Sequence, residues 1–156
     1  MSDQHLDWCT HIQFEEDKDI LTRPNFDVNI RLLKANRGYR ALVENCALYI
    51  RECAQTTKKG YYEPYGWSGA NSGIPFRIIS LASGILFINP HYFNGRNLGI
   101  VESNCGSLTL KSRVKVSRFR LIDFEYYDIE GNLRVTLDIG PVPGFTIQHE
   151  TDHCNG

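Results

Sequence analysis

Nothing in this sequence approaches the roughly 20 consecutive apolar residues that a bilayer-spanning helix needs, so no transmembrane segment is expected. A basic start followed by an apolar stretch is missing too. The opening residues, MSDQHLDWCTHIQFEEDKD, are polar and acidic, unlike a secretory signal. The five cysteines (Cys9, Cys46, Cys53, Cys105 and Cys154) include no C-x-x-C pair, and their odd number argues against a disulfide framework. Free thiols in a reducing cytoplasm are the expectation. Charge of one sign is also lacking: 17 Lys and Arg stand against 18 Asp and Glu, for a net charge of -1. Such a balance gives no electrostatic reason to expect nucleic acid or a membrane surface as partner. Repeats, linkers and low-complexity stretches are absent as well. With 156 residues, 42% hydrophobic and 22% charged, residues 1–156 read as one globular domain.

What is present begins with an irregular lead-in of about thirty residues, with a turn at Thr22-Arg23-Pro24-Asn25. A long helix follows. Leu42, Cys46, Tyr49, Ile50 and Cys53 recur at spacings of three and four, predicting one buried stripe, with Arg40, Glu44, Arg51 and Glu52 in water. Lys58-Lys59-Gly60 is a C-terminal signal for that helix, and Tyr61 to Gly73 reads as a loop rich in rings and glycine. From Ile74 the chain is rich in strand patterns. Phe76–Leu81, Ile85–Ile88, Ser107–Val116, Phe119–Tyr127 and Leu133–Ile139 are predicted strands, the last entered through a hairpin at Glu130-Gly131-Asn132. Pro141-Val142-Pro143-Gly144 breaks the sheet, and Phe145–Cys154 reads as a closing helix with Pro143 suited to its first turn. The predicted class is α+β: a long helix, antiparallel sheet, and a C-terminal helix that binds metal.

Gln148-His149-Glu150-Thr151-Asp152-His153 contains H-E-x-x-H. On a helix, positions i and i+4 share a face, so two imidazoles can bind one cation with Glu150 beside them to move protons. A catalytic site of this type needs three protein ligands and a water. Only Cys154, Asn155 and Gly156 follow His153, which places the third ligand upstream. Cys105, in the small-residue turn Ser103-Asn104-Cys105-Gly106-Ser107, is the leading candidate, and His91 after Asn89-Pro90 is another. Cys154 adjoins His153 and so points about 100° around the helix, away from the metal. His5, His11 and Cys9 lie in the polar lead-in and read as incidental.

These residues resemble the peptide deformylases, which carry G-x-G-x-A-A-x-Q, then E-G-C-L-S, then Q-H-E-x-D-H. The third motif stands intact at 148–153. Gly73-Ile74-Pro75-Phe76-Arg77-Ile78-Ile79 is similar to the stretch after the family Gln, a register that sets Gly66-Trp67-Ser68-Gly69-Ala70-Asn71 on the first motif, with Asn71 for the Gln. The second motif survives as Cys105 and Ser107, with Ser103, Asn104 and Gly106 replacing its Glu, Gly and Leu. Ile88-Asn89-Pro90, Val116-Ser117-Arg118 and Tyr127-Asp128-Ile129-Glu130-Gly131 resemble further family stretches, so the likeness runs in order from about Leu21 to Gly156. It resembles short, phage-encoded members that lack the family's usual helix beyond the third motif.

The resemblance implies removal of the formyl group from N-formylmethionine on nascent, ribosome-borne chains by a cytoplasmic monomer, with neither nucleic acid nor membrane as partner. It implies one divalent cation held by Cys105, His149 and His153, with Fe²⁺ expected and Zn²⁺, Ni²⁺ or Co²⁺ suiting the same thiolate and imidazole donors. Glu150 would take the proton of the attacking water and deliver it to the leaving amine. The backbone N–H of Gly106 and the side-chain amide of Asn71 would meet the developing charge on the formyl oxygen. Asp152 and Gln148 would stand behind the ligands, Asp152 fixing one imidazole. Arg118 would pair with Glu63 near the substrate backbone. Tyr65, Val101, Val142 and Phe145 would line the methionine slot, with Gly66 and Ser103 also on the substrate. Asn is one methylene shorter than Gln, roughly 1.5 Å less reach, where misplacements near 1 Å can cost about 10²-fold. A catalytically weak module that recognises methionyl or formyl-methionyl N-termini is the alternative, and a peptidase with unrelated substrates a third reading.

Overall fold

The computed structural model describes residues 25–56, 66–103 and 114–155. A short helix α1 (Ile30–Ala35) leads into α2 (Arg37–Thr56). Both starts are held by asparagine side chains that accept otherwise unpaired N–H groups: Asn29 from Leu32 at 3.0 Å and Asn36 from Tyr39 at 2.9 Å. Five strands follow, β1 (Gly66–Ser68), β2 (Ile78–Leu81), β3 (Leu86–Ser103), β4 (Val114–Tyr127) and β5 (Leu133–Ile139), and then helix α3 (Pro141–Asn155). The strands form one sheet in the order β1-β2-β3-β4-β5, every neighbour antiparallel. No described helix is long and apolar enough to cross a membrane.

The sheet is sandwiched between helices because its central strands alternate apolar residues to both sides. Ile78 and Ile88 join Val43, Cys46, Ala47 and Ile50 of α2 in one buried cluster. Ile79, Leu81 and Phe87 turn the other way, onto Ile147 and Cys154 of α3 together with Ile122 and Phe124. The buried stripe of α2 is Val43, Cys46, Ala47, Ile50 and Ala54, whereas Leu42, expected inside, is 37% exposed. Cys46 and Ile50 of the expected stripe are buried and Tyr49 packs partly against the same cluster, so the buried face is turned by less than one position toward Val43, Ala47 and Ala54. Short side chains at 47 and 54 let α2 press onto isoleucines of the sheet, and those supply the bulk that Leu42 was expected to give. Helix α2 is described to Thr56, and the signal at 58–60 lies outside the described residues.

The strands are longer than their patterns predict. Ile85–Ile88 is only the start of the 18-residue β3, and Val116 and Phe119 belong to one continuous β4. The pattern is hidden because β3 bulges: its register with β4 shifts between Ile88 and His91 and again between Phe93 and Arg96, where Asn94 and Asn97 take φ of 49° and 57°. A bulge turns successive side chains out of strict alternation. Gly95 belongs there for a steric reason, since a Cβ would meet the Phe119 ring at 2.4 Å. The hairpin before β5 forms as predicted: Asp128 Oδ1 accepts from the N–H groups of Glu130 and Asn132, and Gly131 takes φ of 87°. Helix α3 starts at Pro141, four residues earlier than expected, because both prolines fit within a first turn, whose N–H groups lack helical partners anyway.

Candidate functional site

The site is built on α3, whose residues alternate between core and chemistry. Ile147 and Cys154 face the core, at 2% and 0% exposure. Burial pushes the Cys154 thiol up to about 12. His149 and His153 lie one turn apart on another face, with their Nε2 atoms 3.1 Å from each other and the rings nearly perpendicular. Burial, then the neighbouring charges of His153 and Arg118, hold His149 down to about 3, and burial likewise lowers His153. Both rings are therefore neutral donors, as metal ligation requires. Two bonds of 2.0–2.1 Å at a tetrahedral angle would put two nitrogens ~3.3 Å apart, so the pair fits one divalent cation. Among the described residues no third Cys, His, Asp or Glu completes such a group. Cys105 and Gly106 lie outside the described residues.

Glu150 sits against this pair, its Oε1 3.8 Å from His149 Nε2. The side chain is 5% exposed, and Oε2 is buried without a hydrogen-bond partner. Burial lifts the carboxyl to about 8, with the Ser68 hydroxyl and the Arg118 charge opposing. A carboxyl kept in this state is equipped to exchange a proton near neutral pH, and a cation beside it favours the ionised form.

Opposite α3, β1 and the 3-10 turn Gly69–Ser72 supply the rest of the wall. A Cβ at Gly66 would come within 2.8 Å of both Glu150 Cγ and Thr146 Cγ2. The missing side chain is what allows the strand so near the carboxyl. Ser68 N–H and Oγ–H both donate to Asn71 Oδ1, at 2.8 and 2.6 Å. These bonds fix the direction of the Asn71 amide, and Gly73, at φ of 69°, closes the turn in a conformation that favours glycine.

The other expected positions divide. Gln148, 1% exposed, accepts from Phe119 N–H at 2.9 Å and donates to Phe119 C=O at 2.8 Å and Gly144 C=O at 3.1 Å. It is a strap between α3 and β4. Glu63, the expected partner of Arg118, lies outside the described residues; among those described, Arg118 Nη1 donates to Asp152 Oδ2 at 2.8 Å. The reason is geometric, because β4 carries Arg118 onto the last turns of α3. Asp152 Oδ1 accepts from Tyr92 OH at 2.7 Å. Val101 is partly exposed on β3 opposite Val116, Phe145 is half-buried, and Val142, in the outer first turn of α3, is 65% exposed. Tyr65 is outside the described residues, and Ser103 is described only as the strand partner of Val114. His91 is exposed and stacks on Phe93.

Three site residues carry no sequence signal of their own: Ser68, Thr146 and Tyr92. Ser68 sits inside the degraded first motif and was legible only as a register position. Thr146 and Tyr92 meet the site through packing between elements far apart in the chain.

The family model for polypeptide deformylase matches residues 45–156. No curated protein sequence matches. Among solved structures, the fold is similar to a Met-Ala-Ser-bound class I type b peptide deformylase from Acinetobacter baumannii, with 20% identity, TM-score 0.69, and coverage of 88% of this chain and 87% of that one. It is similar to the inhibitor complex of the Plasmodium falciparum peptide deformylase, at 24% identity, TM-score 0.66, covering 87% and 78%. The Thermotoga maritima peptide deformylase shares it too, at 19% identity, TM-score 0.68, covering 87% and 85%. A mixed helix and antiparallel-sheet fold, a match across most of the chain and an H-E-x-x-H helix place this protein in the polypeptide deformylase family, the enzymes that remove the N-formyl group from nascent peptides.

Proposed function

We propose that this chain deformylates N-formylmethionyl peptides with Glu150 as its proton carrier, on a single divalent cation held by His149, His153 and Cys105. The observation that carries the reading is the buried, unpartnered Glu150 Oε2 beside two neutral imidazoles whose Nε2 atoms converge to 3.1 Å. An unpaired buried carboxyl oxygen weakens a fold by about 1–3 kcal/mol, so its retention points to chemistry. The cation, Fe²⁺ by family habit although the same donors suit Zn²⁺, Ni²⁺ or Co²⁺, would supply a Lewis acid to polarise the formyl carbonyl and acidify the attacking water.

The chain's own groups do the rest. Glu150 takes the water's proton as the C–O bond forms, and returns it to the peptide nitrogen as the C–N bond breaks, releasing formate and a free amine. Asn71, aimed by Ser68, and the backbone N–H of Gly106 donate to the formyl oxygen as its charge grows. Arg118 and Asp152 flank the site, and Val101 and Phe145, with Tyr65 and Ser103, border the space for the methionine. Val142 would join that border only with substrate present, given its exposure. The Acinetobacter enzyme has been captured with Met-Ala-Ser, the peptide that deformylation of formyl-Met-Ala-Ser leaves behind. The test is formate release from formyl-Met-Ala-Ser by the metal-loaded chain. Peptide cleavage that ignores the formyl group would sink the reading; tight binding of the formyl peptide without turnover would leave a recognition module in its place.

A further inference from the structure

The contact that no motif anticipates is the one between Tyr92 and Asp152. Tyr92 lies on β3 opposite Phe124, and Arg118 lies on β4 opposite Gly99, with the bulge of β3 between them. The bulge bends this ribbon so that side chains from its two limbs reach the same carboxylate on α3. Tyr92 OH donates to Asp152 Oδ1 at 2.7 Å, and Arg118 Nη1 donates to Oδ2 at 2.8 Å. Each oxygen thus has its own partner, and the plane of the carboxylate is fixed at both edges. A single salt bridge at a half-open position is a loose joint; the Asp152 side chain is 38% exposed, while that of Arg118 is 12% exposed. A second bond from a short, stiff phenol removes the freedom that such a joint would otherwise have.

What is held in place is a charge. Arg118 is bonded to Asp152, which lies two residues after Glu150 and one before His153 on α3, so the guanidinium sits beside the last turns of the helix that carries the site. Its position therefore bears on the face of α3 where Glu150 would pass its proton. Asp152 balances that charge, one residue before His153 in the chain.

We propose that Tyr92 is a positioning residue for deformylation, acting through Asp152 to hold Arg118 at a fixed place beside the His149–Glu150–His153 face. This rests on the deformylase reading of the same site. Tyr92 touches none of the reacting atoms, and its effect must run through the aspartate to the arginine.

The experiment is a double-mutant cycle on the Ni²⁺-loaded chain with formyl-Met-Ala-Ser. Tyr92→Phe keeps the ring and removes only the donor. It is expected to lower kcat/KM about 10-fold, the low end for an outer hydrogen-bond partner, with melting temperature and bound nickel unchanged. In an Arg118→Ala background the same change is expected to cost about 2-fold or less, because the group it positions is gone. A second measurement is independent of turnover: the ¹⁵N-edited NMR signal of the Arg118 side chain, assigned with Arg118→Ala, should show slowed solvent exchange that Tyr92→Phe relieves. Equal losses of kcat/KM in both backgrounds, or unchanged Arg118 exchange, overturn the proposal. Absence of formate release by the unmutated chain would instead defeat the deformylase reading, and the exchange measurement would still decide whether Tyr92 holds Arg118.

Discussion

Two carboxylates in this protein are almost equally hidden, Asp123 at 6% and Glu150 at 5% exposure, yet their surroundings treat them in opposite ways. Asp123, on β4, accepts from Asp138 N–H at 3.0 Å, Asn94 Nδ2 at 3.0 Å and Arg96 at 3.3 Å. Those bonds, the Asp138 N–H first among them, hold its carboxyl below the usual range. Glu150, on α3, has one oxygen unpartnered, and burial holds its carboxyl up at about 8. One region spends three donors and the unusual positive φ of Asn94 and Asp138 to satisfy a charge. The other leaves a carboxyl oxygen without a donor next to a pair of histidine rings. Burial alone therefore says little about role; the donors around a buried acid separate a structural residue from a reactive one.

The comparison breaks most easily at Glu150. Glu150→Gln keeps the shape and removes the proton carrier, and turnover of formyl-Met-Ala-Ser is expected to fall about 10²–10⁴-fold with bound metal unchanged. Loss of the metal together with activity would mean that the residue serves the ion and not the proton.

A pair of thiols extends the same contrast. Cys154 is fully buried, with its pKa pushed up to about 12, so it offers no thiolate. Cys154→Ser should leave metal content intact, whereas Cys105→Ser should weaken retention by more than the about 10–100-fold typical of an outer partner. Equal metal content in the two variants, measured by atomic emission after dialysis against chelator, would remove Cys105 from the ligand set.

Gly66→Ala tests how tightly the wall is set against Glu150. The new methyl would overlap Glu150 Cγ and Thr146 Cγ2, and the expected cost is about 1–3 kcal/mol of stability, read by denaturant unfolding, with reduced turnover. Wild-type stability and rate in this variant would show that α3 can retreat freely.

The smallest effect is expected at Asp123, and it depends on pH. A carboxyl whose folded pKa lies below its unfolded value, about 3.9, contributes stability above that value and loses it as pH falls through the folded pKa. Asp123→Asn should therefore lower the melting temperature at pH 7, and the gap should close as acid is added. A gap that stays constant from neutral pH to pH 2 would show that the carboxylate charge contributes nothing there.

How far these groups could be read from the chain differs by residue. His149, Glu150 and His153 announce themselves because a helix repeats every 3.6 residues, and four residues of sequence fix which side chains share a face. Leu133–Ile139 and its turn were legible for a similar local reason: Asp128, Gly131 and Asn132 close the hairpin among themselves. Helix α2 was legible as a helix and only roughly in rotation: Cys46 and Ile50 are buried as expected, but Leu42 is not, since the exact stripe depends on what the sheet offers. Arg118 was legible as a site residue, but its bond to Asp152 was not, because that bond joins β4 to α3 across 34 residues; Glu63, its expected partner, lies outside the described residues. The length of β3 was hidden by its own bulge.

The sequence by itself determined the period-bound features: the helical spacing of the two histidines, the glutamate between them, the closing turn of the last hairpin, and a composition with no bilayer-spanning run. Tertiary structure alone decided that Gly66 must lack a side chain to admit Glu150, and that Tyr92 and Arg118 meet on one carboxylate. Short-range order follows from backbone geometry that every residue carries with it. Whether a buried acid finds donors or goes without depends on which distant strands happen to cross above it, and no local pattern records that.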